Sequence, residues 1–233
     1  MIAEISVQLV DHMGSDLLVA NAARVSMAKE SAWVVEFNPV GSGPLTTRSV
    51  LSAADTKLLN YLAKHKHFTP FTHPQISFRI KAPIFVARQW FKHMVGITRN
   101  ETSRRYVDDA PEFFLPEFWR SRPDGSIKQG SAGVHPDSPA WHDSVAEFTK
   151  IANDLYTLMV ADGVAPEQAR MVLPQSMMTE WIETASLAAV CRACALRLDP
   201  HAQAETREVA ERVAEIVAPL FPVSWSALMG VES

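Results

Sequence analysis

Cysteine is nearly missing from this chain, with only Cys191 and Cys194 among 233 residues. So few thiols build no disulfide framework, which points to a reducing compartment. Long apolar runs are missing too. The longest uncharged stretch, 216–231, holds 16 residues and is broken by Pro219 and Pro222, too short and interrupted to span a bilayer. Met1-Ile2-Ala3-Glu4 has neither the basic start nor the apolar centre of a secretion signal, so a cytoplasmic protein is expected. There is no basic excess: the formal net charge is −4, which argues against a general nucleic-acid binder. G-x-G-x-x-G, the P-loop and G-x-S-x-G are absent, and no Cys or carboxylate completes a zinc set around the histidines. Dinucleotide-fold, NTPase, serine-hydrolase and metal sites are therefore not expected.

What is present is ample apolar material. Hydrophobic residues make up 47% of the chain, and a chain of this length buries roughly 70–75% of its unfolded surface. Alternation of Ile5, Val7 and Leu9 predicts a strand over 3–10, and Ser15 caps a helix to about 26. Residues 31–48, with Pro39, Gly41, Gly43 and Pro44, read as a loop. Ser52 and Asp55 form a variant capping box opening a helix to about 65. A strand with Ile76, Phe78 and Ile80 on one face leads through Pro83 into a helix reaching Met94, followed by a polar loop over 98–106. Residues 107–137 read as an irregular excursion. A long helix then starts at Ser138-Pro139, and a short one follows Pro166. A strand over 176–184, an almost uncharged buried helix over 185–197, and a helix from Asp199-Pro200 to about 217 complete the pattern. No linker or repeat interrupts it. The expected fold is a single α+β domain over 1–233, with a mostly antiparallel sheet flanked by helices.

The charge is unevenly spread. Arg88, Lys92, Arg99, Arg104 and Arg105 face only Glu101 between Arg88 and Tyr106, a local +4 on a chain whose remainder sums to −8. Such an island suits a small anion and repels polyanions. Gln89 and His93 lie beside Arg88 and Lys92 at helical spacing. Asn100, Glu101 and Ser103 add acceptors and donors for a ring with carbonyl and N–H edges, while arginine forks suit phosphate. His67, Thr69 and His73 form a second polar cluster, better suited to a cofactor's edge than to a metal. A third lies late. Arg197 ends an apolar helix and needs a partner or ligand, and His201 is expected in the first turn of the next helix. Arg170 is another cation among apolar neighbours. Cys191 and Cys194 have C-x-x-C spacing but lie inside an apolar helix, so packing is the better reading than redox chemistry.

These segments, taken in order, resemble the flavin-dependent thymidylate synthases. The resemblance rests on Asn21 to Ser26, His67 to His73, Lys81 to Phe91, Asn100-Glu101 with Ser103 and Arg105-Tyr106, Ala169 to Pro174, and Leu196 to Gln203. It implies a homotetramer with active sites shared between subunits. It also implies FAD, methylation of dUMP to dTMP with 5,10-methylenetetrahydrofolate, and NADPH as reductant. Neither nucleic acid nor a membrane is an expected partner. By resemblance, Gln89, Lys92, Glu101, Ser103, Arg104, Arg105, Arg170 and Arg197 bind dUMP, and Arg197 assists ionisation at N3 of the uracil. Ser26, His67, Thr69, Lys92, His93, Met94, Asn100, Glu101, Ser186, Arg192 and His201 fall on flavin-contacting positions. The family transfers hydride from flavin to the pyrimidine, so it needs no cysteine nucleophile.

The sequence departs from the family at several points. The Arg-His-Arg signature reads Lys92-His93-Met94, with one residue inserted before Ser103. The acidic residue of the His-x-Thr-Pro-Phe-Glu-His segment is Thr72, and an asparagine pair becomes Ser186 and Arg192. Arg99 and Arg192 are candidates to restore the lost contacts. Two other readings follow: a related enzyme that hydroxymethylates the pyrimidine nucleotide, and a non-catalytic binder of nucleotides or nucleic acid.

Overall fold

The computed structural model describes residues 1–38, 46–107, 109–123, 125 and 130–230. Its centre is a four-stranded, wholly antiparallel sheet. The strands are β1 (Ser6–Met13), β4 (Gln75–Pro83), β6 (Met178–Ser186) and β5 (Ile97–Glu101), in that spatial order. Alternation in β4 sorts the side chains as its sequence predicts. Ile76, Phe78 and Ile80 are fully buried, whereas Ser77, Arg79 and Lys81 face the other side. That outer face is bridged by polar pairs: Ser77 to Thr184 at 2.8 Å, and Arg79 to Glu180.

The inner face is covered by α1 (Asp16–Arg24), α2 (Ala53–Lys64), α6 (Leu187–Arg197) and α7 (Ala204–Leu220). Leu59, Leu62, Val209, Val213 and Val217 complete one core with Phe71, Trp90 and Trp181. α6 is as buried as its lack of charge predicts, and Cys191 and Cys194 are free thiols within it. Burial pushes both thiols well above the ordinary range, which fits packing rather than redox chemistry. A long helix, α4 (Ser138–Ala161), buries Thr149, Ala152 and Tyr156. Trp141, Phe148, Ile151, Leu155 and Leu158, on another arc of the same helix, remain 45–66% exposed. α5 (Pro166–Ala169) and a 3-10 turn over 170–172 pack beside α4.

The structure departs from the sequence reading at four places. The expected loop over 31–48 contains a hairpin of β2 (Val34–Asn38) and β3 (Thr46–Val50), and the part of it between them, 39–45, lies outside the described residues. Pro39, Gly41, Gly43 and Pro44, on which the loop reading rests, all fall within that span. α3 (Ile84–Trp90) stops short of Met94, and β5 occupies half of the expected 98–106 loop. The turn between them needs Gly96 at φ 77°, where an added Cβ would meet Ser186 Oγ at 3.0 Å and Ala189 Cβ at 3.2 Å. α7 begins at Ala204, because Asp199 closes its own turn by accepting from the His201 N–H at 2.7 Å. Finally, α8 (Pro222–Met229) was not foreseen; Pro222 starts it, and its Val223 and Ser224 N–H groups donate to buried Asp16 at 2.9 Å.

Asp55 joins three segments. Its carboxylate accepts from Ser52 Oγ at 2.6 Å, Ser31 Oγ at 2.8 Å and Arg24 Nε at 2.6 Å, and its N–H donates to Ser52 Oγ at 3.1 Å. Burial alone would raise this carboxyl, but the two hydroxyls and the guanidinium outweigh it and hold its pKa below the ordinary value. Its contribution is therefore present at neutral pH and lost as pH falls through the lowered pKa. Asp55→Asn is expected to cost about 2–3 kcal/mol in urea unfolding at pH 7. The gap to the parent chain should close below about pH 4.

Candidate active site

The strand-to-helix passages deliver the polar side chains. β4 runs into α3, which carries Arg88 and Gln89, and β6 runs into α6, which ends at Arg197. Beyond β5 the chain turns sharply through Ser103, Arg104 and Arg105, with the Tyr106 N–H donating to the Ser103 carbonyl at 3.0 Å.

These segments build two clusters. The first is an open cavity of about 970 Å³, with Arg88, Glu101, Ser103, Arg104, Arg105 and Arg170 in its wall. Other cations there are already matched: Lys81 is paired with Glu112, and Arg104 donates to the Asp109 carbonyl. Arg105 lies 5.0 Å from the Tyr106 ring, and its Nε is 3.3 Å from Ser103 Oγ. Among the described residues Arg170 donates only to the Glu167 carbonyl, at 3.2 Å. Arg88 has no hydrogen bond or ion pair among the described residues. Arg88, Arg105 and Arg170 thus meet no carboxylate among the described residues. Three such guanidiniums around one cavity suit a dianion. Glu101 is fixed by a 2.6 Å bond from Thr179 Oγ1.

The second cluster surrounds Arg197. Its Nη2 donates to the Gln89 carbonyl at 3.0 Å and its Nε to His93 Nε2 at 3.1 Å. His93 must be neutral to accept. Burial, reinforced by Arg197, Arg99 and Arg192, pushes its pKa down to about 4. The Gln89 amide is clamped, donating to Gln203 and accepting from Thr206 Oγ1 at 3.3 Å. Within one chain, then, Arg105 and Arg170 share a cavity that Gln89 and Arg197 do not line.

The expected flavin residues are mostly exposed: Ser26, His67, Thr69, Lys92, Met94, Asn100, Arg192 and His201 all lie open. Several stand on adjoining backbone. Ser186 N–H donates to the Gly96 carbonyl at 3.0 Å, Leu187 N–H to the Pro74 carbonyl at 3.1 Å, and Arg192 to the Val95 carbonyl. The surface there mixes apolar Met94 and Val95 with cationic Lys92 and Arg192, a set that fits the flat ring system and diphosphate of FAD. Ser186 is buried and caps α6 through the Ala189 N–H at 3.3 Å. His201 sits in the turn before α7, with its ring on Asp199 at 2.9 Å, and not in the first turn of a helix. Arg99, a candidate for restoring contacts, is taken up within the chain: its side chain is 12% exposed and paired with Glu183.

Arg88, Gln203, Thr206 and Glu183 were not assigned to the site from sequence. Arg88 stood in the cationic island. Glu183 carried a signal too, since it takes the buried parity of its strand between Trp181 and Ala185.

An antiparallel α+β scaffold with an arginine-rich cavity and a clamped amide beside a helix-end arginine defines a protein for a phosphorylated, ring-bearing ligand. Residues 8–223 match the model of the family described as thymidylate synthase complementing protein. This chain belongs to that family. It is 38% identical over 224 residues to a flavin-dependent thymidylate synthase of Thermus thermophilus, covering 95% of this chain and 74% of the relative. The protein of the same name from Kosmotoga olearia is 36% identical, covering 96% and 89%. Among solved structures, the UMP/dUMP methylase PolB of Streptomyces cacaoi bound with 5-Br dUMP superposes with a TM-score of 0.82 at 28% identity, covering 98% of this chain and 96% of that one. Among the described residues no helix is long and apolar enough to cross a membrane.

His93 supplies a direct test. Its folded pKa lies below that of the unfolded chain, so it draws stability down as pH falls from about 6.5 toward about 4. NMR titration is expected to give about 4 in the parent chain. In Arg197→Gln the value should rise only part of the way to normal, because burial is the larger cause.

Proposed function

We propose that this chain is a flavin-dependent thymidylate synthase. In the reaction, dUMP, 5,10-methylenetetrahydrofolate, NADPH and one proton become dTMP, tetrahydrofolate and NADP+. The methylene carbon is bonded to C5 of the uracil, replacing its hydrogen, and is reduced to methyl. The observation that carries the reading is the set of guanidiniums without carboxylate partners among the described residues, lining one cavity in a member of this family. When bound, FAD in its reduced form would supply the hydride, while the chain's own residues bind, orient and polarise.

Arg105 and Arg170, with Ser103 and Arg104, hold the phosphate of dUMP. Glu101, fixed by Thr179, and Lys92 border the sugar and base. Gln89 presents a clamped amide to the base. Arg197 stabilises negative charge at N3, and neutral His93 fixes that guanidinium by accepting from Nε. A protonated His93 would repel it. Ser26, His67, Thr69, Lys92, His93, Met94, Asn100, Glu101, Ser186, Arg192 and His201 would hold FAD.

Gln89 and Arg197 of one protomer complete the cavity of another in a homotetramer. The separation of the two clusters within one chain supports this. So do the exposed apolar arc of α4 and exposed Met94, Val95 and Tyr106, which self-association would cover. We read the chain as one domain acting in the cytoplasm, with its acidic balance disfavouring nucleic acid.

Purified protein is expected to be yellow and to convert dUMP to dTMP by mass spectrometry. A colourless protein that stays inactive with added FAD overturns the assignment, and a hydroxymethyl product assigns it to the related chemistry. Arg170→Ala and Arg197→Ala are each expected to lower kcat/KM by at least 100-fold, about 3 kcal/mol. Co-expressed, the two variants should regain activity through mixed sites. No regain would place the whole site within one protomer.

A further inference from the structure

We propose that Glu183 is a positioning residue which, through Arg99 and two indoles, sets the placement of β5 relative to the end of α3. The inference rests on the reading above, because those two elements carry the groups assigned to dUMP and flavin.

Glu183 is 1% exposed, at mid-strand, on the face of β6 that meets the core. Its carboxylate takes four hydrogen-bonded contacts from three elements. Arg99 of β5 donates from Nε, Trp90 of α3 donates from Nε1 at 3.0 and 3.2 Å, and Trp181 of β6 donates from Nε1 at 3.4 Å. Arg99 then closes the loop. Its Nη2 reaches the Trp90 carbonyl at 3.5 Å, and its guanidinium lies 5.0 Å from the Phe91 ring centroid. Phe91 stands perpendicular to Trp181 at 5.0 Å. No member can move without breaking a contact to another element.

The neighbours in sequence show what this closed set controls. Arg99 precedes Asn100 and Glu101. Trp90 follows Gln89, whose carbonyl receives Arg197, and the Trp90 ring lies edge-on to His93 at 6.0 Å. A buried ion pair is a poor source of stability, since desolvation cancels most of its attraction. What a planar fork and two fixed indole N–H groups provide is direction. The pair therefore acts as a spacer: it fixes the distance between the strand with Asn100 and Glu101 and the helix end with Gln89.

The test replaces the pair without opening a hole. Arg99→Met with Glu183→Gln in one chain removes both charges at similar bulk and keeps an amide oxygen to accept from the two indoles, and Arg99→Lys keeps the charge but removes the fork. The double variant is expected to melt within a few degrees of the parent chain. Its KM for dUMP, and its Kd by calorimetry, should rise by roughly ten- to a hundredfold, more than kcat falls. Arg99→Lys should lie between the two, and it carries the test if the double variant does not fold. Parent values of KM and Kd in a variant of unchanged Tm overturn the proposal. Turnover by the parent chain checks the functional reading separately. If the parent chain neither binds nor converts dUMP, that reading fails alone. The positioning role is then decided by the crystal structure of the double variant, where β5 displaced from α3 supports it and an unmoved β5 overturns it.

Discussion

Two helix C-termini converge on one arginine, and the site depends on it. β4 and β6 pair antiparallel over nine residues, with Gln75 opposite Ser186 and Pro83 opposite Met178. Each strand passes directly into a helix, so α3 and α6 start from opposite ends of the pair and their far ends come together. Both ends carry the negative pole of a helix dipole, which would repel. Arg197 removes the conflict: it closes α6 and donates to the Gln89 carbonyl in the last turn of α3. The requirement that places this cation is structural, and the same guanidinium is left beside a neutral imidazole.

The sheet then distributes the remaining groups by register. Arg99 stands opposite Glu183, so Glu101, two residues on, reaches the cavity's wall. The outer face neutralises its own charges through Arg79 with Glu180 and Lys81 with Glu112. Against that balanced background, Arg88, Arg105 and Arg170 stand out as the charge a ligand would meet. An anion needs such a contrast, because a cation already paired with a carboxylate contributes little field.

Local patterns were legible wherever the physics is local. The Ser52 cap, the alternation in β4 and the charge-poor α6 each follow from side chains within a turn or two of one another. The hairpin over 34–50, the early end of α3 and the late start of α7 were not legible. Their causes are a strand partner, a glycine turn against a distant helix, and a side chain that folds back on its own backbone. The site divides the same way. Ser103, Arg104 and Arg105 are contiguous, and their cavity was foreseeable as a cationic island. Glu183 shares its strand with Glu180, and its buried parity alone does not name its partner; that emerges only when Arg99 is seen across the register. Ser26, His67 and His201 lie apart on exposed surface, on segments distant in sequence, so no local pattern relates them.

The two sulfur atoms buried in α6 give the folded chain a built-in reporter. A maleimide or disulfide reagent reacts only with thiolate it can reach, and here both access and ionisation are withheld. Alkylation kinetics should therefore record how often this core helix lifts away from the sheet, and peroxide should leave the folded protein's thiols intact.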